Sequence, residues 1–373
     1  MFSYPTPFTP PTTEDDRLSW LRLIRSRRVG VATFHRLLED HGSARAALIA
    51  LPELARASGV QGYSACPEGV ALAEMAAARR VGARMLCKGD ADYPVDLARI
   101  SDAPPILWTL GDLKHLARPM VALVGARNAS SLGTRMARKL AEGLTAAGVT
   151  VVSGLARGVD AAAHAAALDG GTVAVMAGGV NVIYPAENTA LADEIAKKGL
   201  RISEQPIGLE PMARHFPLRN RIISGLSRAV VVVEAAAQSG SLITARLALD
   251  QGRDVYAVPG HPFDGRASGC NMLIRDGATL VRGAEDVLAA LNMEVTAPIH
   301  KPLPEIAADA HRPWQEHATL HKLILDRLGP SPIAEDQLLR DLALSPAEAA
   351  PEILALELDG RILRAPGGLL SRI

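Results

Sequence analysis

Six stretches of almost uninterrupted Val, Ala, Leu and Ile constrain this chain more than any other feature: MVALVG (120–125), VTVVSG (149–154), TVAVMAGG (172–179), LRIS (200–203), AVVVVEA (229–235) and DVYAVPG (254–260). Each ends in a small or polar turn and is followed by a helical pattern, opening at Ser131, Val159, Asn188, near Arg219 and at Ser241. A strand that lacks polar alternation must be covered on both faces, and strands that alternate with helices run parallel. From Arg84 onward the chain therefore reads as an α/β, doubly wound parallel sheet. Aromatic residues are only 3% of the 373, so its core is expected to be aliphatic.

The flanks read differently. Residues 14–83 show helical periodicity with breaks at Gly30, Gly42, Pro52 and Gly59, a small helical domain that either binds DNA or simply packs on a neighbour. Residues 1–13 read as a flexible tail with no basic or strongly apolar leader segment, and 293–314 as a Pro- and Ala-rich linker. Helices near Glu316 to Leu328, Ile333 to Asp341 and Pro346 to Leu358, followed by a hairpin, suit a winged helix over 315–373. This last segment carries six Lys and Arg against nine Asp and Glu, the wrong sign for gripping a duplex, so a partner-binding or vestigial wing is favoured over a DNA reader. The whole chain balances 40 basic against 40 acidic residues, so any polyanion site must be local. Cys66, Cys87 and Cys270 are odd in number and widely spaced, which suggests a reducing cytoplasm. No membrane insertion is expected.

The turns after the strands are where such a sheet binds ligands. In VGARNASSLG (124–133), Arg127 stands where a dinucleotide fingerprint wants a small residue; it can pair with phosphate, stack on a base, or be tied to a carboxylate. SGLARGVDAAAH (153–164) offers Ser153 and Gly154 close to the backbone. Its Asp160 and His164 are i, i+4, but without a nucleophile elbow they read as a fold-stabilising pair and not as a triad with Ser153. MAGGVNVIYPAEN (176–188) brings Tyr184 to the same edge, as a loop or as a ligand contact. FPLRNRIISGLS (216–227) reads as a short helix with Ile222, Ile223 and Leu226 buried and with Arg219 and Arg221 in its first turn, where the helix dipole is already positive. Those cations sharpen a positive field and imply an anion. In VVVVEAAAQSGSLITA (230–245), Ser239, Gly240 and Ser241 open a helix as a second anion nest. His311, His317 and His321 lack a companion at ligand spacing, so no metal is expected, and no cofactor either.

Together with ADYPVDLARISDAPPILWTLGD, ISEQPIG and GCNMLIRDGATLV, these motifs resemble, in order over about residues 90–282, the bacterial DNA-processing protein A (DprA/Smf) family. The resemblance implies an extended Rossmann-like domain over 84–292 between an N-terminal helical, SAM-like domain and a C-terminal winged-helix-like domain. It further implies single-stranded DNA binding, dimerisation, loading of the RecA recombinase in natural transformation, and no enzymatic activity. Carried over motif by motif, Arg127, Ser153, Gly154, Phe216, Arg219, Asn220, Arg221, Ser239, Gly240 and Thr244 would line the DNA site. Asn271, Ile274 and Leu280 fall where the family self-associates, and the apolar run Met272, Leu273, Ile274 cannot all face one sheet. The competing reading is a Rossmann-like nucleotide phosphoribohydrolase with Glu204 or Glu234 as acid or base. Its P-G-G-x-G-T motif is replaced here by AAAQSGSLIT.

Overall fold

The computed structural model describes residues 10–293, 317–365 and 367–373. The expected tail up to residue 9 and most of the expected linker, 294–316, lie outside the described residues, as does His311.

Four helices come first: α1 (Glu14–Arg25), α2 (Val31–His41), α3 (Ala44–Ala57) and α4 (Glu68–Arg80). Thr13 begins α1 with a capping box closed by Asp16, and Gly42 ends α2 in the left-handed conformation. Pro52 does not break the chain as expected: α3 runs through it. One lost backbone bond is outweighed by the face that Ala47, Leu48 and Leu51 bury just before that point.

The central sheet follows, with β1 (Arg84–Cys87), α5 (Val95–Ala98), β2 (Ile106–Gly111), β3 (Met120–Val124), α6 (Ser131–Ala146), β4 (Thr150–Ser153), α7 (Val159–Ala167), β5 (Thr172–Val175), α8 (Thr189–Lys198), β6 (Leu200–Ser203), α9 (His215–Leu226), β7 (Ala229–Val232), α10 (Ser241–Asp250), β8 (Asp254–Ala257), α11 (Ser268–Arg275), β9 (Thr279–Leu280) and α12 (Ala284–Ala290). The nine strands are ordered β1-β2-β6-β5-β4-β3-β7-β8-β9. All six apolar runs are strands, and β3 through β9 pair in parallel. The expectation of a wholly parallel sheet needs correction at one edge, where β1 and β2 pair antiparallel and β2 pairs antiparallel with β6. Alternate residues of β3 show why the sheet is doubly covered. Met120, Ala122 and Val124 join the core under α5, α9 and α10, while Val121 and Leu123 join the core under α6, α7 and α12.

The first four helices pack on the remaining face of β2, where Trp20, Phe34 and Leu48 share a core with Ile106 and Trp108. A polar tie closes this contact. Trp108 Nε1 donates to Glu74 at 2.8 Å, and Arg25 grips the same carboxylate through Nε and Nη2. The C-terminal unit, α13 (His317–Arg327), β10 (Ile333–Ala334), α14 (Glu335–Leu342), α15 (Pro346–Leu358), β11 (Ile362–Ala365) and β12 (Leu369–Arg372), is a winged helix with its own core around Ile324, Leu338, Ile353 and Leu370. Within it His321 faces Glu352 at 2.7 Å, and β10 adds a third strand to the expected hairpin.

Glu74→Ala should cost about 3 kcal/mol in urea unfolding, because it leaves the Trp108 N–H without its acceptor and the Arg25 guanidinium without its counter-charge, with only the Glu204 carbonyl left to accept from it. Trp108→Phe, which leaves the ion pair intact, should lose less of the polar tie.

Candidate nucleic-acid interface

The chain runs outward from β3 in both directions, to β4, β5 and β6 on one side and to β7, β8 and β9 on the other. At such a reversal the strand-to-helix turns diverge and leave a crevice beyond the strand carboxyl ends. A cleft of about 1070 Å³ lies there, walled by the β3–α6 turn, the start of α9, the β7–α10 turn and Tyr184.

Its cationic side is Arg127, which is exposed, with its guanidinium 5.3 Å from the centre of the Phe216 ring. Tyr184 meets the same ring edge-on at 5.8 Å and is itself 53% exposed. Arg127 is thus stacked on an aromatic of the chain itself, and the three side chains form a ledge.

The opposite wall is the start of α10. Gly240 occupies its N-cap with no side-chain cap, and Ser239 and Ser241 share a hydroxyl hydrogen bond of 2.7 Å at the mouth. Ser239 Oγ also accepts the Ser241 N–H at 3.4 Å, but no acidic side chain lies in this first turn. The start of α6 is closed. Glu234, at the end of β7, accepts from the Ser130 N–H at 2.9 Å and from the Ser130 hydroxyl, so a carboxylate of the chain itself caps that dipole. Burial raises the Glu234 pKa, opposed by the bonds from Ser130.

Below the cleft lies Arg219, buried, donating Nη1 to the carbonyls of Gly154 and Val175 at the ends of β4 and β5 and Nε to Asn220 Oδ1. Burial pushes its pKa down to about 10, against the pull of nearby Asp160. Asp160 in turn accepts from the N–H groups of Gly154 and Ala156, while burial pushes its own pKa up and Arg219 holds it back. A Cβ at residue 154 would collide with the Arg219 guanidinium, so only glycine lets the cation reach the strand ends.

The expected site residues therefore divide. Arg127, Phe216, Asn220, Ser239, Gly240 and Thr244 line one cleft, with Arg219 as its floor. Ser153 lies behind the floor, its hydroxyl donating to the Leu123 carbonyl at 2.6 Å, and Gly154 serves Arg219. Arg221 is a correction. The helix begins at His215, so both arginines sit in its second turn, and residues two apart on a helix point about 200° from each other. The Arg221 guanidinium is buried against Glu204 and the Asp102 carbonyl, away from the cleft. His164 and Asp160 form no triad with Ser153. His164 accepts the Leu155 N–H at Nε2 and lies 2.7 Å from the Thr172 hydroxyl, and burial, reinforced by Arg219, pushes its pKa down to about 3. Of the two acids considered for hydrolysis, Glu234 caps α6 and Glu204 pairs with Arg221, so neither carboxylate is free in the cleft. Arg266 and Arg372 also line it, and no local pattern singled them out.

The surface expected for self-association is only partly outward. Asn271 is spent within the chain, bonding both the N–H and the carbonyl of Gly260. Ile274 packs partly on the sheet core, and Leu280, on the edge strand β9, is 43% exposed.

The DNA recombination-mediator protein A family matches residues 84–292, flanked by matches to a DprA-like N-terminal HHH domain over 14–77 and to a DprA winged helix domain over 308–368. The chain belongs to the DprA/Smf family. Among relatives, the DNA processing protein DprA of Streptococcus pneumoniae is 48% identical over 199 residues, covering 53% of this chain and 70% of that protein. Protein Smf of Escherichia coli is 40% identical over 281 residues, covering 74% of each chain. The X-ray structure of the S. pneumoniae protein superposes with a TM-score of 0.63 at 36% identity, over 74% of this chain and 98% of that one. DNA processing protein A of Helicobacter pylori, described with a unique single-stranded DNA binding mode, superposes with a TM-score of 0.52 at 30% identity, over 56% of this chain and 95% of that one. Family membership gives this chain a DNA-processing, recombination-mediator role.

Arg221→Ala should cost about 3 kcal/mol near neutral pH by stranding Glu204 as a buried anion. Burial already raises the Glu204 pKa, with Arg221 opposing, so removing Arg221 raises it further. A carboxyl whose folded pKa lies above its unfolded value of 4.5 takes up a proton on folding as pH falls. The penalty should therefore shrink toward pH 4 in urea titrations run across pH; a penalty independent of pH would contradict the assignment.

Proposed function

We propose that the cleft binds single-stranded DNA and that the protein mediates recombination in the cytoplasm by handing the strand to the RecA recombinase during natural transformation. The observation that carries the reading is the ledge of Arg127, Phe216 and Tyr184 facing, across one crevice, the start of α10, whose first turn carries no acid. Bases unstacked from a duplex need an aromatic face. The phosphates beside them need cations and free backbone N–H groups. A duplex hides its bases, so this pairing of surfaces favours a single strand. The single-stranded DNA binding of the H. pylori relative supports the same reading, and the recombination-mediator family supports the transfer to a recombinase.

Arg127→Ala should weaken binding of every single-stranded sequence alike and lower the slope of log K against log salt by about 0.7, the share of one phosphate contact. Phe216→Ala should lose about 1–3 kcal/mol of affinity with the slope nearly unchanged, since stacking releases no counterions. Fluorescence anisotropy of a labelled oligonucleotide over a salt series reads both quantities. Unaltered binding in both variants would refute the site.

The homodimer belongs to the same proposal. Leu280 on edge strand β9 is its exposed apolar contact, supported by an edge that carries unpaired backbone groups. Leu280→Glu should give a monomer by light scattering and should reduce affinity for long strands more than for short ones, because joining two clefts acts through effective concentration.

A further inference from the structure

The winged-helix domain sits at the mouth of the cleft, and it is held there by cations that cross between the two bodies. Arg266, in the segment before α11, donates Nη1 to the Asp326 carbonyl and Nη2 to the Leu328 carbonyl. These are among the last carbonyls of α13, the negative end of its dipole, where a guanidinium is well placed. Arg327 returns the contact, donating Nη1 to the Ala129 carbonyl at 3.1 Å and to the Thr134 hydroxyl at 3.4 Å. Among the described residues the two domains share no hydrophobic core: the wing's cluster is built only of residues from Leu320 onward. An interface made of a few hydrogen bonds over little apolar surface is weak and reversible.

Docking changes the cleft. Arg266 lines it together with Asp326 and Arg372. Docked, the Arg266 Nη1 and Nη2 groups serve the wing's carbonyls, and its Nε faces Asp264 at 3.7 Å. Asp326 adds a carboxylate at the mouth, offset by Arg372. Undocked, Arg266 regains its donors at the rim of a site that already holds Arg127 and the acid-free start of α10, and the wing no longer stands where a long strand would leave the cleft.

We propose that Arg266 is a strand-binding residue held in reserve, so that docking of the C-terminal domain and binding of a DNA strand compete for it. This rests on the cleft being the strand site. It gives the acidic domain a role that requires no DNA contact: the wing lowers the affinity of the resting protein, and a strand or a partner that draws the wing away raises it.

The test uses the full chain in four forms: the parent, Arg327→Glu, Arg266→Ala and the double variant. Arg327 is outside the cleft, and Arg327→Glu sets a carboxylate against the Ala129 carbonyl. Small-angle scattering should show a larger radius of gyration for Arg327→Glu. Its affinity for a short oligothymidylate should rise roughly five- to tenfold at low salt, with a salt slope steeper by about 0.7. Adding Arg266→Ala should remove that gain and return the slope to the parent's. An expanded Arg327→Glu whose affinity is unchanged or weaker overturns the proposal, as does a variant that stays compact, since these contacts would then not hold the wing. A gain that survives Arg266→Ala refutes the role of Arg266. Arg127→Ala in parallel separates the two readings: if it weakens binding while Arg327→Glu does nothing, the strand site stands and the latch fails.

Discussion

A buried guanidinium organises the carboxyl end of this sheet. Arg219 reaches down from α9 to the carbonyls that end β4 and β5, and it lies close enough to Asp160 for the two charges to act on each other. Removing such a charge from water is costly unless every donor finds an acceptor. The surroundings meet that demand at Nη1 and Nε: Gly154 has no side chain to obstruct the approach to the strand-end carbonyls, Asp160 is held by the N–H groups of Gly154 and Ala156, and the side-chain oxygen of Asn220 takes the Nε proton. The cleft floor is consequently rigid and positive, and α9 is anchored so that Phe216, one turn earlier, faces the opening.

Above that floor the positive groups have separate tasks. Arg127 stacks on Phe216 at the surface, where water and ligand reach it, whereas Arg221 is consumed on the far side of α9 by Glu204 and the Asp102 carbonyl. The two helix starts are divided in the same way. Glu234 neutralises α6 and so makes the fold independent of any ligand there, while the start of α10 has no acid of its own. One anion-receptive helix end thus faces one aromatic ledge. Arrangement at a sheet edge, and not net charge, is what lets a chain with balanced acids and bases gather cationic groups around one cleft.

The flanking domains are joined by the same chemistry with different permanence. The helical domain is tied to the sheet by Arg25, which reaches the Glu204 carbonyl, and by Glu74, which accepts from Trp108, over a shared apolar core. The winged helix is tied by Arg266 and Arg327 to carbonyls with no shared core. Burying apolar area makes the first attachment part of the fold; its absence leaves the second free to exchange with solvent.

The six apolar runs were decisive by themselves, because a strand buried on both faces has no alternative to a covered parallel sheet, and the turns that follow them had to converge at its carboxyl edge. The motifs in those turns placed Arg127, Phe216, Asn220 and the Ser239–Thr244 segment correctly beside one another. The different fates of Arg219 and Arg221 were also within reach, since two residues apart on a helix cannot face one anion. The antiparallel edge was not legible: β1 and β2 carry no motif that fixes their direction, and the Trp108 face of β2 is covered by the helical domain, far from it in the chain. Nor were the contributions of Arg266, Asp326 and Arg372 to the cleft, since no local pattern says that a distant helix and hairpin pack at its mouth. Local sequence determines which groups leave a strand end together, because covalent geometry holds them within one turn. Which distant groups share that space is decided only when separate bodies pack, since the partners of a charge are chosen by burial and distance in the folded molecule and leave no trace in the order of the chain.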